Sequence, residues 1–100
     1  MEDLPFELIN LSKALGNDTY RRILLYLAKE NEEVPLSELE AKLKFAGSKN
    51  IKHNLSELAQ RGLVKQYVRT GQERPYSAFT IDPVASRVIK QMLVALYKSY

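Results

Sequence analysis

The hydrophobic period of this chain changes twice, and where it changes limits what the chain can fold into. Up to Gly62, apolar residues recur at helical spacing. After Gly62, Leu63-Val64-Lys65-Gln66-Tyr67-Val68-Arg69 and Tyr76-Ser77-Ala78-Phe79-Thr80-Ile81 are β-rich and flank the turn Thr70-Gly71-Gln72-Glu73-Arg74-Pro75. From Asp82-Pro83 onward helical spacing returns. One hairpin inserted between helices predicts a mainly α chain with a small β element, ordered α-α-α-α-β-β-α.

The helical part divides by its punctuation. Leu4, Leu8, Leu11 and Leu15 share a stripe, Pro5 is tolerable in a first turn, and Gly16 stops the segment, so a first helix is expected over residues 3–15. Phe6 and Ile9 fall off that stripe. Asn17 or Asp18 can cap a second helix carrying Tyr20, Ile23, Leu24 and Leu27, with its end expected near Lys29, before the acidic run Glu30 to Glu33. A one-residue strand contact is expected at Val34. Ser37 to Glu40 has capping-box spacing beside Leu36, Leu39 and Leu43, which predicts a short third helix. Lys44 to Ser48 holds Gly47 and no periodicity, so it reads as a turn. Ser48 then caps a fourth helix with Ile51, Leu55, Leu58 and Ala59 on one face, ended by Gly62. Two short helices joined by such a turn form a helix-turn-helix. A final helix over 83–98 carries Val84, Val88, Ile89, Met92, Leu93 and Leu96.

At 100 residues the chain is the size of one domain, taken as residues 1–100, with no linker or repeat. The absence of cysteine excludes disulfides and thiolate chemistry and favours a cytoplasmic setting. Glu2 and Asp3 stand where a signal peptide would be basic, and no stretch approaches 18 consecutive apolar residues, so neither secretion nor a membrane span is expected. With His53 as the single histidine, no His-His or Cys-His metal site can form, and no metal or other cofactor is expected. Neither a Ser-His-acid spacing nor a glycine-rich phosphate loop is present, so an enzyme is not expected. The six tyrosines are not gathered on one strand pair, as a single-strand-binding sheet would need.

Charge is unevenly distributed. Residues 1–43 hold 5 basic and 9 acidic side chains, whereas residues 44–76 hold Lys44, Lys49, Lys52, Arg61, Lys65, Arg69 and Arg74 against only Glu57 and Glu73. A polyanion meeting the middle of the chain is the natural partner. The second helix of a helix-turn-helix enters the major groove, so the side chains opposite the core stripe of the fourth helix should meet double-stranded DNA. These are Ser48, Lys49, Asn50, Lys52, His53 and Ser56. Lys can donate to guanine, Asn can pair with adenine, and Ser or His can reach a base edge or a phosphate. On the hairpin, Lys65, Arg69, Gln72 and Arg74 could contact phosphates or a minor groove, with Arg69 and Arg74 the preferred pair.

Leu15-Gly16-Asn17-Asp18-Thr19 with Arg22-Ile23-Leu24, then Leu36-Ser37-Glu38-Leu39, Asn54-Leu55 and Gly62-Leu63-Val64, resembles the ArsR-like winged-helix regulators over nearly the whole chain. The resemblance implies a winged helix-turn-helix fold. It also implies a homodimer built by the terminal helices, and recognition-helix positions at Lys49, Asn50, Lys52 and His53. Two departures stand out. The cysteine pair that metal-sensing members carry in the third helix has no counterpart in Leu36 to Leu43, and the last helix lacks the His and acidic ligands of other sensors. The turn at Lys44 to Gly47 is also one residue longer than usual.

The apolar residues of the last helix spread over more than about 180° of its circumference, while packing on one core needs a stripe of only about 100°. The excess, with Phe6 and Ile9, predicts a dimer interface formed by Phe6, Ile9, Ile89, Met92, Leu93, Leu96 and Tyr97. The leading expectation is thus a dimeric, sequence-specific transcriptional regulator, a repressor, with no small-molecule effector identified. The alternatives are low-specificity architectural DNA binding and a winged helix used for protein contact.

Overall fold

In the computed structural model, which describes residues 6–43, 48–71 and 73–99, the chain runs α1 (Phe6–Leu15), α2 (Asp18–Glu30), β1 (Val34–Pro35), α3 (Leu36–Lys42), α4 (Ser48–Gln60), β2 (Val64–Thr70), β3 (Pro75–Ile81) and α5 (Pro83–Ser99). Side chains are described for residues 9–43, 51–71 and 73–95. The expected order is the observed one. Residues 3–5 of the expected first helix, the turn Lys44 to Gly47, and the side chains of Leu8, Ser48 and Leu96 lie outside the described residues.

Each boundary has a local cause. The Asn17 side chain accepts a hydrogen bond from the Tyr20 amide at 3.0 Å, which caps α2. Asn31 ends α2 in the left-handed conformation, φ 55°, and its amide donates to the Leu27 carbonyl. At the end of α4 the Gly62 amide donates to the Ala59 carbonyl and the Leu63 amide to the Leu58 carbonyl, with Gly62 at φ +78°. That bond pair is a Schellman closure, and it turns the chain directly into β2. Asp82 caps α5: its carboxylate accepts from the Ala85 amide and its carbonyl from the Ser86 amide, while its own amide donates to Leu63. The start of α5 is thereby tied to the exit of α4.

One expected cap is corrected. Ser37 is not the cap of α3 but its second residue, because Pro35, extended at φ −64° and ψ 149°, ends β1 and leaves Leu36 to open the helix without a side-chain cap. The strand contact at Val34 extends to two residues, pairing Val34 with Phe79 and Pro35 with Ala78. The result is an antiparallel sheet of order β1-β3-β2, with Val64 opposite Ile81 and Thr70 opposite Pro75.

The core joins all these elements. Ile23, Leu24 and Leu27 of α2, Leu39 of α3, Ile51, Leu55 and Leu58 of α4, Leu63, and Phe79 of β3 are buried together, and α2 packs against α1, α4, α5 and β3. Each large apolar side chain so buried contributes about 1.5–3 kcal/mol. Truncating one at the centre, such as Leu24 to Ala, would cost about 2–5 kcal/mol.

Ile89 corrects a second expectation. It is buried at 2% exposure within this one chain, so it belongs to the core and not to an outward-facing surface. The wide apolar arc of α5 has a simpler geometry than two opposed faces. Ala85, Val88 and Ile89 pack inward, and the same stripe continues along the helix to Met92 and Leu93, which are 46% and 45% exposed. The stripe outruns the core. Together with Leu11, Leu15 and Leu25 it borders apolar grooves on the α1–α2–α5 side, and Ile9 of α1 is exposed as well.

Candidate nucleic-acid interface

α4 divides cleanly into two faces. Ile51, Leu55 and Leu58 are fully buried, and one residue on around the helix Lys52, His53 and Ser56 are exposed. The 3.6-residue period alone produces that division, since a helix anchored at positions 51, 55 and 58 must turn 52, 53 and 56 away. The imidazole Nε2 of His53 lies 3.8 Å from the carboxylate of Glu57 one turn on. Lys52 forms no ion pair with any described residue. The side chains of Ser48, Lys49 and Asn50 lie outside the described residues, although all three are within α4.

α3 packs against α4 and is tied to α2 by one polar link. The Tyr26 hydroxyl donates to the Glu38 carboxylate at 2.7 Å, joining α2 to α3. That bond, with lesser help from burial and from the charges of Glu38 and Glu30, pushes the Tyr26 hydroxyl up to about 12.

The hairpin continues from α4 through Gly62. Its turn is closed by the Gly71 amide donating to the Arg74 carbonyl at 3.3 Å. Lys65 and Arg74 are exposed, and neither forms an ion pair with a described residue; Gln72 lies outside the described residues. Gln66 donates across the strands to the Ser77 hydroxyl.

Arg69 has an internal partner that the local sequence does not reveal. Its Nε and Nη2 donate to the two carboxylate oxygens of Glu33 at 2.7 and 2.6 Å, a bidentate pair spanning 36 residues. Its guanidinium also stacks 4.8 Å from the centre of the Tyr67 ring. These hydrogen bonds hold the Glu33 carboxyl below its ordinary range. A phosphate would therefore have to compete with Glu33 for Arg69, whereas Arg74 is open. Arg61 is also removed from the exposed basic set, because it lies over the Tyr20 ring at 5.2 Å at the far end of α4.

The described cations of residues 51–76 thus fall into two groups. Lys52, Lys65 and Arg74 are open to solvent on α4 and the hairpin, and Arg61 and Arg69 are engaged within the chain. Among the described residues, the ion pair that joins the acidic first part of the chain to the basic middle part is Glu33–Arg69. No helix among the described residues is long and apolar enough to cross a membrane.

No protein-family model matches the chain, and no curated protein matches it. Solved structures do match it, among them the following two. One is the structure of the transcriptional regulator homologue protein from Pyrococcus horikoshii OT3, with a TM-score of 0.70 and 25% identity over 93% of this chain and 92% of that one. The other is HlyU from Vibrio cholerae N16961, with a TM-score of 0.72 and 23% identity over 97% and 98% of the two chains. The match covers nearly the full length of both neighbours, and the chain carries the winged helix-turn-helix fold.

Proposed function

We propose that this protein is a sequence-specific regulator that binds double-stranded DNA, of the ArsR-like kind, acting as a homodimeric repressor in the cytoplasm and without a catalytic step. The observation that supports it most is the exposed row Lys52, His53 and Ser56 on the helix of the helix-turn-helix that such folds place in the major groove. Ser48, Lys49 and Asn50 belong to the same reading as the helix's groove-entering end. Lys65 and Arg74, which form no ion pair with a described residue, would meet phosphates beside that groove, as would Gln72. Arg69 would join them only by leaving Glu33.

The dimer rests on the apolar stripe that outruns the core of α5. Met92 and Leu93 of two copies, with Leu96, Tyr97, Ile9 and Phe6, would cover one another and place two recognition helices about 34 Å apart. Selection of bound sites from random duplex DNA tests the proposal. A palindromic motif with half-sites one helical turn apart supports it. Enrichment without sequence preference would point to architectural coating, and no retention of duplex at low salt would point to a protein-docking module.

A further inference from the structure

A groove of about 390 Å³ lies at the opposite end of the sheet from the hairpin turn. Asn31 and Glu32 from the end of α2, Thr80 and Ile81 from the end of β3, and Pro83, Ser86, Arg87 and Lys90 from α5 line it. Its size is that of a small-ligand site. Three properties of its α5 wall go together.

Arg87 and Lys90 stand one turn apart on the same side of the helix, and no described carboxylate lies within ion-pair distance of either. Lys90 is positioned by the Asn31 side chain, whose carbonyl oxygen accepts from its ammonium at 3.0 Å. An ammonium offers three donors, so two remain.

Ser86 is the one buried polar residue of the described chain, at 7% exposure, and it lines this groove. Its amide is used by the Asp82 cap, but its hydroxyl has no hydrogen bond to any described group. No side-chain polar atom of the described residues is both fully enclosed and unpartnered. The Ser86 hydroxyl therefore reaches the groove, where it can donate to whatever enters.

We infer that this groove is a binding site for a small anion, a compound with a compact phosphate or carboxylate head held by Arg87, Lys90 and the Ser86 hydroxyl. Arg87 supplies a planar fork and Lys90 a point charge, the two donor types that hold such heads. The Ala85 and Ser86 amides are already taken by Asp82, so the donors argued for the site are side chains. Glu32, on the facing wall, repels a second negative group and confines the charge to the α5 side. Ile81 and Pro83 leave room for an apolar body behind the head. The site lies outside the α4–hairpin surface, and its existence does not depend on DNA binding.

The test is a titration of the free protein with inorganic phosphate and, separately, with acetate, followed by amide NMR shifts at constant ionic strength. A saturable response at Thr80, Ser86 and Arg87, with a dissociation constant on the order of 1 mM for at least one probe, is expected. The preferred probe names the head group. Arg87→Gln with Lys90→Gln, both exposed positions, should abolish that response while leaving any response at Lys52 and Arg74 in place. Ser86→Ala should weaken it about threefold, and Glu32→Gln should tighten it about twofold. Linear, non-saturating shifts with both probes overturn the proposal. So does an unchanged response in the double variant, or weaker binding in Glu32→Gln.

Discussion

Replacing Gly62 by Ala isolates one backbone angle at the junction between α4 and the hairpin. Gly62 has φ +78°, and a Cβ placed on it would meet nothing within 4 Å, so the substitution adds no clash. What remains is conformational. An L residue in the left-handed region costs about 1–2 kcal/mol. Ala also stiffens the unfolded chain relative to Gly, which offsets about 0.4–1 kcal/mol of that cost. The net loss should be about 0.5–1 kcal/mol, or about 4 °C in melting temperature for a domain of this size. Asn tolerates the left-handed region better than Ala, so Gly62→Asn should lie between the two. Urea denaturation and thermal melts followed by circular dichroism measure both variants. A Gly62→Ala protein as stable as the parent, or an Asn variant less stable than the Ala one, would refute the argument that this dihedral sets the cost. Gly71 is the contrasting case: a Cβ there would lie 2.9 Å from the Arg74 carbonyl oxygen and 3.2 Å from the Tyr76 ring, so the hairpin turn itself must shift.

Four further outcomes are expected. Tyr26→Phe removes the bond to Glu38 and should cost about 1 kcal/mol at neutral pH; because the folded hydroxyl titrates near 12, above its ordinary 10.0, the parent's extra stability is present below 10.0 and lost as pH rises through 12, and urea titrations should show the Phe variant lacking that alkaline loss. Glu33→Gln acts at the acid end: the lowered carboxyl stabilises the fold above its ordinary value of 4.5 and loses that contribution as pH falls through the folded value, so the Gln variant should show a flatter acid limb in the same assay, and its freed Arg69 should steepen the salt dependence of duplex binding by about one phosphate contact. Lys52→Ala should weaken the selected site by about 1–3 kcal/mol and relax preference at one or two base pairs, whereas Arg74→Ala should weaken all duplexes alike, both read by fluorescence anisotropy. Leu93→Glu should leave a folded monomer in sedimentation and lower operator affinity strongly; a dimer of unchanged affinity would remove α5 from the interface.

What the sequence made legible is what local spacing controls. Ile51, Leu55 and Leu58 identify the buried side of α4 by period alone, and Gly62 marks its end because a Schellman exit favours glycine there. Val34 was readable as a strand contact, but its partner Phe79 was not, since that register depends on the whole sheet closing. The same closure brings Glu33 to Arg69 across 36 positions, and no local pattern encodes it. Ser37 was misleading because its spacing to Glu40 suits a cap, while Pro35 had already settled where α3 begins. Ile89 was misplaced for a related reason. A helical wheel records direction around the axis and not distance along it, and on α5 the core covers the stripe only as far as Ile89. The groove at Ser86 left no sequence signal, being assembled from the ends of α2, β3 and α5.

The sheet order also bears on how the protein behaves at high concentration. β2 is a rim strand, seven residues long, whose far side faces no other strand among the described residues, and it carries the 69% exposed Val68 between Lys65 and Arg69. Such a rim is a template for strand addition by a second copy. Lys65, which pairs with no described carboxylate, puts charge along it, so two rims repel before their backbones can pair. That protection is electrostatic and weakens as salt shortens the reach of the charges. The salt that would detach the protein from a polyanion is therefore the salt at which its hairpins are most prone to join edge to edge.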